Sequence, residues 1–344
     1  MPLRQPARSL PITKPSPNGL QLSLDEVRWA RGLISDRVLR TPLVRSESLS
    51  RLADVDVYLK LESHQTTGSF KLRGASLAIL TLDSVVRRRG VVTASTGNHG
   101  RALAHAARSL GVSAVVCMSS LVPDNKVRAI RELGAEICIS GHSQDDAQAQ
   151  ARHLAHTQGM SYIPPFDHLD VVLGQATLGL EICEQLPGVG TLVIPLSGGG
   201  LFSGVALAAK QCDPSLRTIG VSMQVGCAMH TSLKAGQPVD VEELPTLADS
   251  LGGGIGLDNR HTFALVRALA DETVLVNEAD IARGLVHAYM EEREVVEGAG
   301  AVGIAALLAG QIRPDMQRRP IVLVLSGRNI DMDLHRKLIC STYH

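Results

Sequence analysis

Two hydrophobic periods alternate along the chain. Runs rich in Val, Ile and Leu occur at Val55–Leu61, Val91–Ala94, Ala114–Met118, Ile137–Ser140, Thr191–Leu196, Thr218–Ser222 and Ile321–Leu325. Such short apolar runs predict buried strands. Between them, Arg101–Leu110, Asp124–Leu133, Gln144–Thr157, Val172–Gln185, Ser203–Lys210 and Glu278–Glu292 have the apolar spacing of helices. Strands alternating with helices predict βαβ units with right-handed crossovers and a largely parallel sheet. The expected class is therefore α/β. No stretch approaches 18 consecutive apolar residues, which excludes a membrane-spanning helix.

Glycine clusters punctuate the pattern where strands end. Thr96–Gly100, Ser197–Leu201 and Ser326–Asn329 each follow a predicted strand, and Gly252–Gly254 lies in a segment without clear period. Ligands of open α/β sheets bind beyond the carboxyl ends of the strands, so three clusters predict one shared site. Ser197-Gly198-Gly199-Gly200-Leu201 opens a helix, and its amides and positive helix end suit an anion. Gly198, Gly200 and Gly204 roughly imitate a dinucleotide fingerprint. However, the next strand ends in Ser222-Met223 without the acidic residue that a ribose needs, and the loop has no Walker lysine. A compact monophosphate fits better. Upstream, the polar turn in Ser63–Ala75 sets Lys71 beside Phe70 at a helix start, where desolvation would lower its pKa and free the amine as a nucleophile. A lysine, a phosphate loop and neutral polar residues at strand ends are the set that pyridoxal phosphate requires.

Six ordered motifs then carry a resemblance. The run Thr67-Gly68-Ser69-Phe70-Lys71-Leu72-Arg73-Gly74-Ala75 resembles the lysine motif of fold-type II pyridoxal-phosphate enzymes, in the threonine/serine dehydratase and serine racemase branch. Ser95–Gly100 resembles the family's asparagine loop and Ser197–Leu201 its phosphate loop. Gly174–Thr177 and Glu297–Ala301 match two further segments, and Ser326–Asn329 stands where the pyridine-side serine is found. The likeness spans roughly residues 22–335. It implies two domains, each an open, mostly parallel sheet flanked by helices, of the tryptophan synthase β-like type. Residues 21–85 and 167–344 would form the large cofactor-binding domain, and 86–166 a small mobile domain closing over substrate. Residues 1–20, rich in proline, are expected to be a flexible arm.

The resemblance also implies roles. Lys71 carries pyridoxal 5'-phosphate and serves as acid/base at the substrate Cα, with Phe70 packed beside the cofactor. Asn98 meets the cofactor's ring hydroxyl, Ser197, Gly198, Gly199, Gly200 and Leu201 hold its phosphate, and Ser326 meets its pyridine nitrogen. Ser95, Thr96, Gly97 and His99 hold the substrate carboxylate. The implied activity is β-elimination of a β-hydroxy-α-amino acid such as L-threonine, L-serine or 3-hydroxyaspartate to a 2-oxo acid and ammonia. An amino-acid racemase is the alternative within the family, and a nicotinamide-dependent dehydrogenase the alternative from another class.

The chain departs from its relatives at several points. Thr96 stands where the racemases have a serine as a second acid/base, so it is a catalytic candidate with a crowded hydroxyl. Ser222 and Ala228 stand where that branch places two carboxylates for a divalent cation, and no metal is expected. Arg328 replaces a usual glycine and becomes a candidate for substrate contact. Gly226–His230 with Leu251–Gly256 resembles dehydratases of hydroxyectoine utilisation. Glu297, inside a matched motif, is a candidate active-site carboxylate.

Composition changes this picture little. With 34 Lys+Arg against 34 Asp+Glu the net charge is zero, which argues against an extended nucleic-acid surface. Six cysteines without C-x-x-C spacing argue against a disulfide framework or a zinc site. The N-terminus has no apolar signal region. The expectation is a cytoplasmic homodimer acting on a small amino acid, with no nucleic-acid or membrane partner.

Overall fold

The computed structural model describes residues 22–122 and 124–341; the expected arm at 1–20 lies outside them. Its strands are β1 (Leu43–Ser46), β2 (Val57–Leu61), β3 (Val91–Ala94), β4 (Ala114–Met118), β5 (Glu136–Ile139), β6 (Ser161–Tyr162), β7 (Thr191–Pro195), β8 (Arg217–Met223), β9 (Glu272–Val276) and β10 (Ile321–Leu325). They form two sheets. One has the order β1-β2-β10-β7-β8-β9 and the other β5-β4-β3-β6. All pairings are parallel except β1 with β2.

The runs read as buried strands are all strands, but β5 is not buried: it lies at a sheet edge and its four residues are exposed or half-buried. Every residue of β3, β4, β7 and β10 is buried, because helices cover both faces of a parallel sheet. The pattern did not reveal β1, β6 and β9. β1 and β9 are sheet-edge strands with partly exposed residues, and β6 has only two residues. The helix Gly298–Leu308 was also missed. It is buried from Gly298 to Leu307, so no polar face marks its 3.6-residue period.

The parallel arrangement points strand ends and helix starts at a common place. Four helices begin there: Lys71–Leu80, Asn98–Ser109, Gly200–Cys212 and Gly298–Leu308. The first is seated by a close backbone crossing against the helix Leu169–Gln185. A Cβ on Gly174 would lie 2.6 Å from the Gly74 Cα, and one on Gly74 would lie 2.9 Å from the Val171 carbonyl oxygen. Only glycine permits that contact, which fixes the helix carrying Lys71.

Under that helix lies a cluster of charges with no exposed side chain. Lys60 and Glu62 follow from β2, Arg73 from the Lys71 helix and Glu181 from Leu169–Gln185, and each is at most 3% exposed. Arg73 makes paired bonds to both carboxylates: Nε and Nη2 donate to Glu62 at 2.9 and 2.8 Å, and Nη1 and Nη2 to Glu181 at 2.7 and 2.9 Å. Lys60 Nζ donates to the Thr41 carbonyl, Glu181 and Gln185 at 2.8, 3.0 and 2.8 Å. Burial pushes the Glu62 carboxyl up, but the Arg73 guanidinium outweighs it and holds that carboxyl below its ordinary range.

Candidate active site

The strand ends and helix starts enclose a cavity of about 730 Å³. Phe70, Lys71, Ser95, Thr96, Gly97, Asn98, His99, Ser197, Gly198, Gly199, Gly200, Leu201, Glu297 and Ser326 all line it. One expected residue does not. The Arg328 side chain is exposed and stands outside the lining, while its backbone N–H donates to the Gly68 carbonyl at 2.9 Å. That bond and the Ser69–Gly327 bridge tie the Lys71 turn to the loop after β10, which fixes the backbone and leaves the arginine side chain outside.

Lys71 opens its helix with no side-chain cap before it, and its Nζ donates to the Pro165 carbonyl at 2.6 Å. Burial lowers its pKa to about 8, partly opposed by the Glu297 carboxylate. Its ammonium stands 5.2 Å from the Phe70 ring centroid. Glu297 responds in the opposite sense. Burial and then the charge of Asp249 raise it to about 7, while the bond from Asn98 opposes that rise. His99 is buried, and desolvation followed by the Lys71 charge lowers it to about 3. It is therefore a neutral imidazole, whose Nε2–H donates to the Ile163 carbonyl at 2.9 Å. It offers no cation to a carboxylate. The first amides of Asn98–Ser109 have no partners within the helix, a helix start that suits an anion.

Across the cavity, Gly199 has φ +87° and turns β7 into the helix Gly200–Cys212. A Cβ on Gly198 would lie 2.4 Å from the Phe166 ring. The loop is thus pressed against Phe166 beneath it, with the helix's first amides exposed to the cavity.

Pro165 and Phe166 belong to a strap that the sequence did not disclose. Running on from β6, it accepts from His99 and Lys71 through Ile163 and Pro165, and packs Phe166 under the glycines. The Asp167 carboxylate then accepts from the amides of Arg260, His261 and Thr262 at 2.7, 2.9 and 2.9 Å. Asn329 was quoted in a motif but given no role; its Nδ2 donates to the Asn98 Oδ1 at 2.6 Å.

Residues 34–327 match the family described as pyridoxal-phosphate dependent enzyme. The chain belongs to that family. It is 55% identical over 318 residues to the putative threonine dehydratase of Sinorhizobium fredii, covering 92% of this chain and 95% of that protein. It is 38% identical to the L-threonine ammonia-lyase of Thermotoga maritima, over 92% of this chain and 78% of that one. Maize serine racemase shares the fold with a TM-score of 0.85 at 32% identity, over 93% of this chain and 98% of the other. This pyridoxal-phosphate enzyme is an ammonia-lyase, and pyridoxal phosphate is its cofactor.

The residues present fit that group. A buried amine with its pKa near neutrality faces a helix start with three glycines, across a cavity large enough for the ring between them. A consequence concerns pH. The amine captures the cofactor only when neutral, so capture by cofactor-free protein should accelerate as pH rises through about 8 rather than near the ordinary 10.5. Glu297→Gln removes the charge that raises Lys71, so the midpoint should move below that of the unaltered protein. Growth of the visible band at a series of pH values reads both. A midpoint above 10, or an upward shift in the variant, would contradict the electrostatics.

Proposed function

We propose that the enzyme eliminates water from L-threonine and L-serine, with Lys71 as the acid/base and the residues above in their family roles. The observation that carries this is Lys71, held with a lowered pKa opposite the Ser197–Leu201 cradle in one cavity. Bound pyridoxal phosphate supplies the electron sink that makes the Cα proton acidic. The chain's own groups do the rest. Amides of Ser95, Thr96, Gly97, Asn98 and His99 hold the substrate carboxylate at a helix start. The Lys71 amine, moved off the Pro165 carbonyl, takes the Cα proton. Ser326, a neutral hydroxyl, does not enforce a positive ring nitrogen as a carboxylate would, which favours loss of the β-hydroxyl over transamination. The products are 2-oxobutanoate or pyruvate, with ammonia.

Two observations favour threonine and serine over 3-hydroxyaspartate. Arg328 is outside the cavity. The lining also carries Asp145, Asp167, Asp240, Glu243, Asp249, Asp258 and Glu297 against Lys71, Arg152 and Arg260, a field that repels a second carboxylate. The protein should therefore form 2-oxobutanoate from L-threonine and turn over 3-hydroxyaspartate poorly. Arg328→Gly should change kcat/KM on either by less than about twofold, as for a surface substitution. Absence of 2-oxobutanoate would overturn the threonine reading. A tenfold loss confined to hydroxyaspartate would return Arg328 to the site.

The segment 86–166, which holds the four-stranded sheet, closes over substrate, and Thr96 retains a hydroxyl for a residual racemase step. The glycine segment Leu251–Gly256 lines the cavity, which supports a hydroxyectoine-utilisation dehydratase as a narrower assignment. We place the protein in the cytoplasm as a homodimer. Metal independence is supported by Ser222 and Ala228, both buried and without carboxylates. Chelator should leave activity and Tm unchanged. A several-fold loss that Mg²⁺ restores would contradict this.

A further inference from the structure

Asn98 is the residue assigned to the cofactor's ring oxygen, and an amide meets that oxygen productively in only one of its two orientations. The nitrogen end donates to an oxygen that only accepts, whereas the carbonyl end repels it. A short chain of bonds selects the orientation. The Thr67 backbone carbonyl can only accept, and Asn329 Nδ2 donates to it at 2.9 Å. The second hydrogen of that nitrogen goes to Asn98 Oδ1 at 2.6 Å. Arg101 Nη1, 3.5 Å from Asn329 Oδ1, holds the other end of that amide. With its Oδ1 taken, Asn98 turns Nδ2 away. One of the Nδ2 hydrogens goes to Glu297 Oε1 at 2.7 Å, and the other is left for the cavity. Thr67 lies in the Lys71 turn and Asn329 in the loop after β10, so the chain also joins the loops that hold the ring.

We infer that Asn329 is a positioning residue that fixes the Asn98 amide with its nitrogen toward the cofactor's ring oxygen, using the Thr67 carbonyl as reference. The inference rests on the role given to Asn98. Asn329→Asp replaces the double donor by a group that only accepts, so the Asn98 Oδ1 loses its donor and faces an acceptor, while the bond from Nδ2 to Glu297 and the overall shape are kept. Asn329→Ala removes both donors without adding charge and serves where the aspartate variant fails to fold.

Three properties are measured: affinity for pyridoxal phosphate, the visible spectrum of the holoenzyme against pH, and Tm of the cofactor-free protein. Asn98→Ala and the double variants complete a cycle. Loss of one oriented hydrogen bond predicts about tenfold weaker cofactor binding for Asn329→Asp. The visible spectrum should shift in the same direction as in Asn98→Ala. In the Asn98→Ala background the Asn329 change should alter affinity by less than about twofold, because nothing remains to orient. A merely structural Asn329 would lower Tm in every background, leave the spectrum alone and give independent effects; that result overturns the inference. If Asn98→Ala itself leaves affinity and spectrum unchanged, the reading of Asn98 fails first and this inference falls with it.

Discussion

Replacing Lys71 should lower turnover by at least about 10³-fold, in the range attributed to a lost general acid/base and compounded by the lost anchor for the cofactor. Lys71→Arg is the sharper version. The guanidinium keeps the positive charge and much of the length, but it is not deprotonated at working pH, so it can neither attack a carbonyl nor take the Cα proton. It should be as inactive as Lys71→Ala. After borohydride, the pyridoxyl group of the unaltered protein should be found on the peptide containing Lys71. Lys60, a fully buried lysine, is an informative control. Its ammonium donates to the Thr41 carbonyl, Glu181 and Gln185 and is absent from the cavity lining. An adduct on Lys60 or any other lysine, or retained turnover in the arginine variant, would remove Lys71 from the mechanism.

The sequence disclosed much of the fold because strands buried on both faces read as unbroken apolar runs; β3, β4, β7 and β10 stand where those runs fall. Elements with weak contrast were not legible. Gly298–Leu308 is apolar all round, and edge strand β1 spans only Leu43–Ser46. The site was legible where chemistry demands rare combinations, such as a lysine beside a glycine turn or three glycines opening a helix. It was illegible where backbone does the work. Pro165 contributes a carbonyl and Asp167 caps a helix remote in sequence, and neither leaves a local pattern. The charge state of His99 was not legible either: burial beside Lys71 leaves it neutral and donating to Ile163. Arg328 drew attention by its charge, whereas the structure uses its backbone. Residue type identified candidates, and burial decided their charge.

Arg73→Met should destabilise the protein by about 3–5 kcal/mol, the cost of leaving buried charge without its partner. That is a large share of the roughly 5–15 kcal/mol that holds a native protein together. The variant keeps the length and apolar stem but removes the paired bonds to Glu62 and Glu181, leaving two buried carboxylates facing Lys60 alone. Removing a carboxylate as well should return much of the loss. Arg73→Met with Glu62→Leu leaves Lys60 and Glu181 as a balanced pair, so the two substitutions should be strongly non-additive. The pH dependence has a definite sign. Without Arg73 the Glu62 carboxyl loses the group that holds it down, and burial then raises it above its unfolded value. A carboxyl raised on folding binds its proton more tightly in the native state, so stability falls as pH rises from the unfolded value through the raised one. The Tm deficit of Arg73→Met should therefore be smaller near pH 5 than at pH 8. A deficit that is equal at both pH values, or a double variant no more stable than the single, would mean that lost packing rather than unpaired charge sets the cost. Arg73 also lies two residues beyond Lys71 on the same helix, so the buried network anchors the turn that presents the Lys71 amine to the cavity.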